Sequence, residues 1–596
     1  MKTLLIFPPQ AYPANPYLSV PLLAGQLKNA GYDVKTMDLN VDFFNRVLSS
    51  DFLSKTYEEI KKLPQELEEK LEEINKNAVP DKNYDYLSEK IELVKSYLEN
   101  ATEQANFSIK YVEQAVNIYK SEDFYNPSLL AKAFRILSYS TDLLSLRYFP
   151  TKINLGDYSN KYFSMNYDDL MFQIESPDVN VYSRYFETAL PAKKLKDYDL
   201  IVISIPFPNQ IVPALTLLKH LKANTKAKIC IGGNTISRIT EAFEKHPEFF
   251  DDFADYILSG DGEYSIIKLA ELLQQKIDIS KVPGLLYKDN LGKILYNPSE
   301  PVTNLEEIAD ICLDDYDFKD YFIPKIVLPM QLAKGCYWGK CAFCDFFYGK
   351  PSYFPKSIEK VIGEIKTAIN KYGITHFEFT DEAIPPTYYL ELADAIIKEK
   401  LNIKFFSMAR LEEEFTKENL EKLHKAGLTL VNWGFEAASK RVLEKMNKGI
   451  NPDLRLKILK DSAEAEIWNR VSFIFGFPGE TLEEGMLTVN TIKENLEIIN
   501  SYNAMVFQLR RHSNIKENSQ NYDIIDYDDT EEFSDNLIIK DKELNEKEKQ
   551  NYRKLVEQLY QDGKSTRLWR ILMPNAFLIL YLEKYGRDFV RDYRLR

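Results

Sequence analysis

Three cysteines crowded into one short loop constrain this chain more than any other feature. Of its five cysteines, Cys336, Cys341 and Cys344 fall within nine residues, with no histidine among them. Three thiols at this density favour a soft metal centre. Because an iron–sulfur cluster normally takes four cysteine ligands, three would leave one iron open to a small molecule. The loop therefore predicts an iron–sulfur centre in which one iron has no protein ligand.

Other uses of these cysteines are disfavoured by the sequence. A zinc site needs a fourth ligand, and the nearest histidine, His376, lies far along the chain. Structural cysteines would not need to cluster, and the low cysteine content indicates a reducing compartment in which disulfides are rare. Of the other two cysteines, Cys230 lies in an apolar run and is expected in a core. Cys312 lies in a polar connector, where a redox or ligand role stays open.

The length and charge of the chain limit its organisation and its partners. At 596 residues it is too long for a single core, so several domains are expected. A formal net charge of −14, without a dense cluster of Lys and Arg, disfavours nucleic acid as a partner. Residues 1–7 lack the features of a signal peptide, and the apolar run 571–582 is far shorter than the ~20 residues of a membrane span. These observations predict a cytoplasmic protein that contacts no membrane.

The first part of the chain alternates short apolar strands with helices. Strands are predicted at residues 3–7, 33–38, 199–205, 227–232 and 255–259. This alternation favours an α/β fold with a doubly wound parallel sheet, which we assign to residues 1–49 and 190–278. Turn-rich loops follow the strands, and ligands of such sheets bind at those carboxyl ends.

Residues 50–189 interrupt this sheet and are predicted to form a mainly helical insertion. Helical periodicity runs through residues 63–74, 86–98 and 129–146. The stretch 148–185, rich in Tyr and Asn, is expected to be irregular. Residues 279–325 are then predicted to form a β-hairpin, at 284–296, and a linker.

From residue 326 onward the alternation of strands and helices becomes regular. Strands are predicted at residues 327–333, 375–380, 403–409, 429–435, 470–475 and 504–509. Each is followed by charged, cysteine-containing or glycine-rich residues, and active sites of barrels lie at such carboxyl ends. We therefore predict a partial (β/α)6 barrel at residues 326–515. Residues 516–596 are expected to form a mostly helical C-terminal region, with helix from 543 to 585.

The cysteine spacing C-x4-C-x2-C, with an aromatic residue before the last cysteine, resembles the cluster loop of the radical S-adenosylmethionine (SAM) enzymes. It is one residue longer than their common C-x3-C-x2-C. The resemblance implies a 4Fe-4S cluster on the three cysteines, reduced by flavodoxin or ferredoxin, with SAM on the open iron and cleaved to a 5′-deoxyadenosyl radical. By position after the strands, the family's SAM-binding groups correspond to Asp381, Glu382, Arg410, Glu436, Gly476 and Pro478.

The doubly wound domain before the barrel resembles that of the cobalamin-dependent radical SAM enzymes. Segments 207–215, 335–345 and 407–410 resemble in particular the cobalamin-binding-domain proteins associated with maturation of ribosomally synthesised peptides (RiPPs). The resemblance implies a Rossmann-like cobalamin-binding domain. Its contacts would come from Pro8, Pro9, Gln10, Pro206, Asn209, Gln210, Gly232, Gly233, Gly260 and Glu263. None of the five histidines stands in the cobalt-ligating pattern Asp-x-His-x-x-Gly, so a histidine-off cobalamin is expected.

The activity implied by this resemblance is methylation of an unactivated carbon in a peptide or a small natural product. The 5′-deoxyadenosyl radical would take a hydrogen from the substrate, methylcobalamin would supply the methyl group, and a second SAM would remethylate the cobalamin. Two alternatives stay open. One is a radical SAM enzyme that rearranges or cyclises its substrate without methylating it. The other is a non-catalytic iron–sulfur redox sensor or scaffold.

Overall fold

The chain folds into two compact units that interleave along the sequence. The computed structural model describes residues 1–76, 84–345, 353–522, 524, 526–540, 546–562, 567–572 and 574–595. Unit 1 contains Met1–Glu300, Ile311–Pro324 and Thr530–Ser534, and unit 2 contains Pro301–Asp310, Lys325–Asp529 and Asp535–Arg596.

Unit 1 is built on a mixed seven-stranded sheet, in the order β2-β1-β5-β6-β7-β8-β9. Its strands, with the separate hairpin β3-β4, are β1 (Lys2–Phe7), β2 (Asp33–Asp38), β3 (Thr151–Ile153), β4 (Tyr158–Asn160), β5 (Leu200–Ser204), β6 (Lys228–Gly232), β7 (Tyr256–Leu258), β8 (Leu285–Lys288) and β9 (Ile294–Tyr296). The five strands from β2 to β7 are parallel, which confirms the predicted fold class. The predicted hairpin β8-β9 extends the same sheet in antiparallel orientation.

Helices cover both faces of this sheet and form the insertion. They are α1 (Ser19–Asn29), α2 (Leu39–Val47), α3 (Ser50–Lys76), α4 (Tyr86–Asn100), α5 (Thr102–Lys120), α6 (Pro127–Arg147), α7 (Tyr167–Glu175), α8 (Val181–Ala189), α9 (Ala192–Leu195), α10 (Ile211–Asn224), α11 (Asn234–Arg238), α12 (Thr240–Lys245), α13 (Phe249–Asp252) and α14 (Gly262–Leu273). The residues Leu200–Ile203 of β5 are all buried, as expected for a parallel strand that is covered on both sides.

The insertion is more regular than the sequence suggests. Helices α3 to α6 carry the predicted helical periodicity. The stretch 148–185, expected to be irregular, instead contains the hairpin β3-β4, helix α7 and the start of α8, so that expectation is wrong. The side chains of Asn166 and Asn180 cap the two helices by accepting hydrogen bonds from backbone N–H groups of their first turns.

Unit 2 contains six parallel strands that follow one another in chain order, β10-β13-β14-β15-β16-β17. All strands of the unit are β10 (Val327–Met330), β11 (Ala333–Lys334), β12 (Phe354–Pro355), β13 (His376–Phe379), β14 (Lys404–Arg410), β15 (Leu428–Glu436), β16 (Trp468–Phe475), β17 (Ser501–Val506), β18 (Leu509–Arg510), β19 (Tyr527–Asp528) and β20 (Asn536–Ile539). The six strands correspond to those predicted for the barrel. The small sheet β18-β20-β19 was not anticipated from the sequence.

The helices of unit 2 lie between these strands and at the C-terminus. They are α15 (Ile358–Tyr372), α16 (Pro386–Lys398), α17 (Lys417–Ala426), α18 (Lys440–Lys445), α19 (Arg455–Glu464), α20 (Leu482–Glu494), α21 (Asn514–Glu517), α22 (Glu546–Asp562), α23 (Asn575–Tyr585) and α24 (Arg587–Asp592). Within the predicted helical stretch 543–585, residues 543–545, 563–566 and 573 lie outside the described residues. In the part of the chain that the structure describes, no helix has both the length and the apolar character needed to cross a bilayer.

Contacts with the flanking helices identify the outer face of the barrel strands. Ser407 of β14 faces Tyr389 of α16. The indole Nε1 of Trp433 donates to Asn469 Oδ1 at 2.8 Å, and Ser462 of α19 donates to the same oxygen at 2.7 Å. Because side chains alternate along a strand, the residues between these positions point into the barrel.

Helix α23 closes the amino-terminal end of the barrel interior. All residues from Ala576 to Leu582 are buried, so the helix is apolar on every side. Its two ends bind inward-facing residues near the starts of two strands. Arg470 Nη1 donates to Asn575 Oδ1 at 2.7 Å, and His376 Nε2 lies 3.0 Å from Glu583 Oε2.

Candidate active site

The cysteine loop follows β11 and is fixed at its centre by Ala342. The Ala342 N–H donates to the Met446 carbonyl, and the Ala342 carbonyl accepts from the Ile515 N–H, each at 2.9 Å. Cys336, Cys341 and Cys344 are half-buried free thiols. Among the described residues, no three Cys, His, Asp or Glu side chains already converge as metal ligands. The loop thus places the donor set of an iron–sulfur centre at the carboxyl ends of the strands, without a preformed cage.

Arg410, the last residue of β14, provides a buried cation beside this loop. Its Nε donates to Glu412 Oε1 at 2.6 Å, and its guanidinium lies 4.4 Å from the ring centroid of Trp338. Its Nη1 and Nη2 are buried without a hydrogen-bond partner among the residues that the structure describes. Unpaired buried donors on a cation are costly, and a guanidinium binds carboxylates well. Arg410 is therefore suited to an anionic group of a ligand.

Trp338 of the loop is held against Arg410 by a neighbouring turn. Its Nε1 donates to the Asn447 carbonyl at 2.9 Å. Gly449 has a φ of +67°, and a Cβ there would lie 1.9 Å from the Trp338 ring. A side chain at position 449 would therefore displace Trp338 from its contact with Arg410.

Glu436 and Lys448 form a buried ion pair at the end of β15. Lys448 Nζ lies 2.6 Å from Glu436 Oε1, and Gly434 leaves the space that the pair occupies, since a Cβ there would lie 2.6 Å from Lys448 Nζ. Glu436 has a φ of +65°, a conformation that costs a non-glycine residue about 1–2 kcal/mol. This backbone irregularity turns the carboxylate toward Lys448.

Two cations influence Cys341. Burial raises the pKa of the Cys341 thiol, whereas Lys448 and Arg410 act to lower it. Burial also acts to lower the pKa of Lys448, but Glu436 and Cys341 outweigh it, so the Lys448 pKa is raised and the ammonium stays charged. Lys448 was missed by sequence reasoning because it follows helix α18 rather than a strand. The combination of thiol donors, Arg410 and Lys448 fits a cluster whose open iron binds a carboxylate-bearing ligand.

The carboxylate of Asp381, a residue predicted to contact SAM, binds backbone N–H groups of the chain. Its carboxylate accepts the N–H of Leu332 at 2.9 Å and that of Ala333 at 2.6 Å, just before the cysteine loop. Burial raises the pKa of Asp381 to about 7, and the two N–H groups oppose this shift. Asp381 thereby orients the strand that leads into the loop, while Glu382, half-buried beside it, keeps its predicted role as a SAM contact.

The glycine-containing turn after β16 is also held by the chain. The Gly476 N–H donates to Glu480 Oε2 at 2.5 Å, and the Tyr552 hydroxyl of α22 donates to the Glu480 carbonyl at 2.8 Å. A Cβ on Gly476, which has a φ of +71°, would lie 3.1 Å from the Tyr552 ring. Pro478 is buried in the same turn. Gly476 and Pro478 stay predicted SAM contacts.

In unit 1, the predicted cobalamin contacts come from four loops at the carboxyl ends of β1, β5, β6 and β7. Pro8, Pro9 and Gln10 follow β1; Pro206, Asn209 and Gln210 follow β5; Gly232 ends β6 and Gly233 follows it; Gly260 and Glu263 follow β7. The strand order reverses between β1 and β5, where doubly wound folds bind their ligands.

Hydrogen bonds to other parts of unit 1 occupy the amides at this edge. Gln10 Nε2 donates to the carbonyls of Asn154 and Asp157, the latter at 3.0 Å, and its Oε1 accepts from the Tyr182 hydroxyl at 3.1 Å. Gln210 Nε2 donates to the Pro8 carbonyl at 2.7 Å. These side chains shape the crevice between β1 and β5 by tying loops together.

No described histidine of unit 1 is placed to bind a ligand in that crevice. His220 lies on α10 and contacts the Leu190 carbonyl at 2.8 Å, and His246 lies 3.0 Å from Glu532. Neither belongs to the loops after β1 and β5. A histidine-off cobalamin in this crevice stays a prediction.

Comparison with known proteins gives one family match and several distant relatives. Residues 330–492 match the model of the Radical SAM superfamily. The chain is 27% identical to an uncharacterised methyltransferase of Pyrococcus horikoshii, over 51% of this chain and 66% of the relative. It is 25% identical to 4′-phospho-dehydrooxetanocin synthase of Priestia megaterium (52% and 43%) and 26% identical to hopanoid C-3 methylase of Methylococcus capsulatus (42% and 48%). The chain thus spans less than two thirds of each relative's length.

Two solved structures share the fold across most of the chain. The cobalamin-dependent SAM radical enzyme OxsB, with aqua-cobalamin and SAM bound, superposes with a TM-score of 0.51 at 17% identity, over 70% of this chain and 66% of that one. The radical SAM methyltransferase TsrM of Kitasatospora setae, with cobalamin and a [4Fe-4S] cluster bound, gives 0.50 at 13% identity, over 87% and 75%. The expected architecture of a doubly wound domain followed by a barrel is therefore confirmed.

Proposed function

We propose that this chain, which carries a radical SAM domain at residues 330–492, is a cobalamin-dependent radical SAM methyltransferase acting on an unactivated carbon of a peptide or small natural product. The observation that carries the proposal is Arg410, a buried guanidinium beside the three-cysteine loop whose Nη atoms have no partner among the described residues. Such a group fits the carboxylate of SAM when its amino-acid end chelates an open iron.

The residues of unit 2 divide the binding of cluster and SAM among them. Cys336, Cys341 and Cys344 would hold three irons of a 4Fe-4S cluster, which when bound and reduced supplies the electron that splits SAM into methionine and a 5′-deoxyadenosyl radical. Arg410 and Lys448 would bind the SAM carboxylate, and Glu382 the ammonium. Further SAM contacts would come from Glu436, Gly476 and Pro478.

The carboxyl edge of unit 1 is the proposed cobalamin site. Gln10, Asn209 and Gln210 fix the loops around the crevice between β1 and β5. A cobalamin held there in a histidine-off state would supply the methyl group that the substrate carbon receives. The relatives named methyltransferase and methylase, and the fold shared with OxsB and TsrM, support this assignment.

The proposal is tested by anaerobic reconstitution with iron, sulfide and hydroxocobalamin. With SAM labelled in its methyl group and a reduced flavodoxin or ferredoxin, we expect release of 5′-deoxyadenosine and labelled methylcobalamin, measured by mass spectrometry. Protein that holds zinc, or a cluster that does not cleave SAM, would refute the radical SAM chemistry. The absence of corrin absorbance at any excess of hydroxocobalamin would refute the cobalamin assignment alone.

A second candidate is a radical SAM reaction without methylation. It is favoured by relatives whose names describe other outcomes, a 4′-phospho-dehydrooxetanocin synthase and an anaerobic magnesium-protoporphyrin IX monomethyl ester cyclase. A substrate that is altered but carries no label would select this candidate. A redox sensor or scaffold would release no 5′-deoxyadenosine at all.

The cellular setting completes the proposal. We place the enzyme in the cytoplasm, with flavodoxin or ferredoxin as its electron donor and RiPP maturation as its pathway class. A precursor peptide that becomes methylated in the reconstituted reaction would support that class.

A further inference from the structure

The interior of the barrel in unit 2 is filled near its closed end and opens toward the carboxyl ends of the strands. At the level of Glu378, the inward-facing Phe406 of β14 and Leu430 of β15 are at most 2% exposed. One step nearer the carboxyl ends, the inward-facing Met408 of β14 and Asn432 of β15 are half-buried. Glu378, itself half-buried, therefore lies where the interior begins to open.

Glu378 is an inward-facing carboxyl group in the middle of this interior. It lies on β13 between His376 and Thr380, in register with Phe406 of β14. His376, on the same face and one step nearer the amino end, contacts Glu583 of α23. Glu378 thus stands above the closed end of the barrel and below the acidic residues that follow β13.

Other polar residues on the inner face, on β15 and β16, have partners within the chain. Arg470 donates to Asn575, and Ser472 donates to Asn432 at 3.1 Å. In contrast, Glu378 has no hydrogen bond or ion pair to any residue that the structure describes. Burial is the sole influence on its pKa, which is raised to about 7. Because Glu378 is half-buried, its carboxyl group can be reached by a molecule in the open part of the interior.

We propose that Glu378 selects the substrate of this site by binding a cationic amine or guanidinium group of a molecule that lies on the inner face of the barrel, above α23. This inference rests on the proposed function and names the substrate class for the same site. Met408 and Phe406, which face the interior beside Glu378, offer apolar contact to the carbon skeleton that bears the cation. A cationic group there would form a charge-assisted hydrogen bond with the ionised carboxylate.

A ligand without a positive charge fits the position less well. A carboxylate would repel Glu378, and an alcohol could form one neutral hydrogen bond in place of a charge-assisted one. Glu378 could bind the amino group of a small natural product. It could equally bind an amine on a side chain or at the terminus of a peptide.

The test compares two probes of the same shape on the holoprotein. Phenethylamine carries a charge and 2-phenylethanol does not. With the cluster reconstituted and no reductant present, titration calorimetry should show that the wild-type protein binds the amine about tenfold more tightly than the alcohol. In Glu378→Gln this preference should disappear, and in Glu378→Asp it should return in part.

Glu583→Gln is the matched control. Glu583 is another carboxyl group at the barrel interior, but its carboxylate contacts His376, so the preference for the amine should persist in that variant. Circular dichroism establishes folding of each variant, and Glu378→Asp keeps the test decisive if Glu378→Gln does not fold. The proposal is overturned if wild-type protein binds the amine no better than the alcohol, or if Glu378→Gln keeps the preference.

Failure of this inference is separable from failure of the proposed function. The release of 5′-deoxyadenosine by the wild-type protein reports radical SAM chemistry independently of either probe. Release without an amine preference refutes the role of Glu378 alone. No release refutes the proposed function, whatever the probes show.

Discussion

The two carboxyl edges of this molecule occupy equivalent places in two α/β units but are built differently. At the barrel edge of unit 2, charged groups such as Arg410 keep donors without partners among the described residues. At the sheet edge of unit 1, amides such as Gln10 are bonded to other loops of the same unit. The first edge would suit a small charged ligand that is bound by direct contacts. The second, whose loops are tied together by side-chain hydrogen bonds, would hold a large macrocycle by shape.

The largest expected effect comes from the cysteine loop at the barrel edge of unit 2. Alanine in place of any one of Cys336, Cys341 or Cys344 should abolish 5′-deoxyadenosine release and reduce iron to background, because each thiol binds one iron. Iron and sulfide assays and mass spectrometry measure this. Cys312→Ser, a cysteine of unit 1, is the control and should retain the cluster. A cysteine variant with a complete, active cluster would contradict the ligand assignment.

A smaller effect is expected at the cation of the barrel edge. Arg410→Gln removes the charge proposed to bind the SAM carboxylate and should weaken SAM binding about 100-fold. Equilibrium dialysis on the reconstituted, unreduced protein measures the dissociation constant. Arg591→Gln, which removes an arginine paired with Asp592 on α24, should leave it unchanged. If both variants bind SAM equally, the Nη donors of Arg410 do not contribute to SAM binding at the edge of unit 2.

The next prediction concerns the amides of unit 1. Gln10→Ala leaves the Asn154 and Asp157 carbonyls and the Tyr182 hydroxyl without this partner, and should lower the free energy of unfolding by about 2–3 kcal/mol. It should also reduce cobalamin retention, read from corrin absorbance after gel filtration. Gln65→Ala on α3, whose exposed side chain donates to Glu69, should cost about 0.5 kcal/mol or less. If Gln10→Ala and Gln65→Ala lower the free energy of unfolding equally, the Gln10 hydrogen bonds do not hold the edge of unit 1 together.

The smallest effect is a pH dependence in unit 2. Burial raises the pKa of Glu480 to about 7, so the folded chain keeps this proton between about pH 4.5 and 7, where the unfolded chain releases it. The protonated group's contribution to stability is complete below about pH 4.5 and is lost as the pH rises through about 7. As the pH rises through this window, the free energy of unfolding of wild-type protein should fall. In the Glu480→Gln variant the fall should be smaller by about 1–2 kcal/mol.

Urea denaturation of unreconstituted protein across that window measures the difference. Glu444→Gln, at an exposed position of α18, is the control and should follow the wild-type curve. A Glu480→Gln curve parallel to wild type would show that the Glu480 carboxyl group titrates normally in the folded chain.

The strands of both units could be predicted because each is a short, strongly apolar run between turns. The helices α7 and α8 were missed because their segment contains many Tyr and Asn residues and no long apolar period. Their capping residues, Asn166 and Asn180, were the signal that could have located them.

The sequence could locate residues of the candidate site that follow strand ends, and not those that lie elsewhere. Arg410 and Glu436 lie where the strand pattern places them. Lys448 and Glu378 do not follow a strand, since one comes after a helix and the other lies within a strand, and only the fold reveals which way they face. Asp381 was predicted to contact SAM because it follows a strand, and the structure shows that its carboxylate accepts the backbone N–H groups of Leu332 and Ala333.

The closed end formed by α23 has a consequence for how molecules reach Glu378. The helix blocks passage through the amino end, whereas β10 and β17 lie at opposite edges of the six-stranded sheet and do not pair with each other. A molecule that reaches Glu378 therefore arrives either past the carboxyl ends of the strands or through the side between these two edge strands.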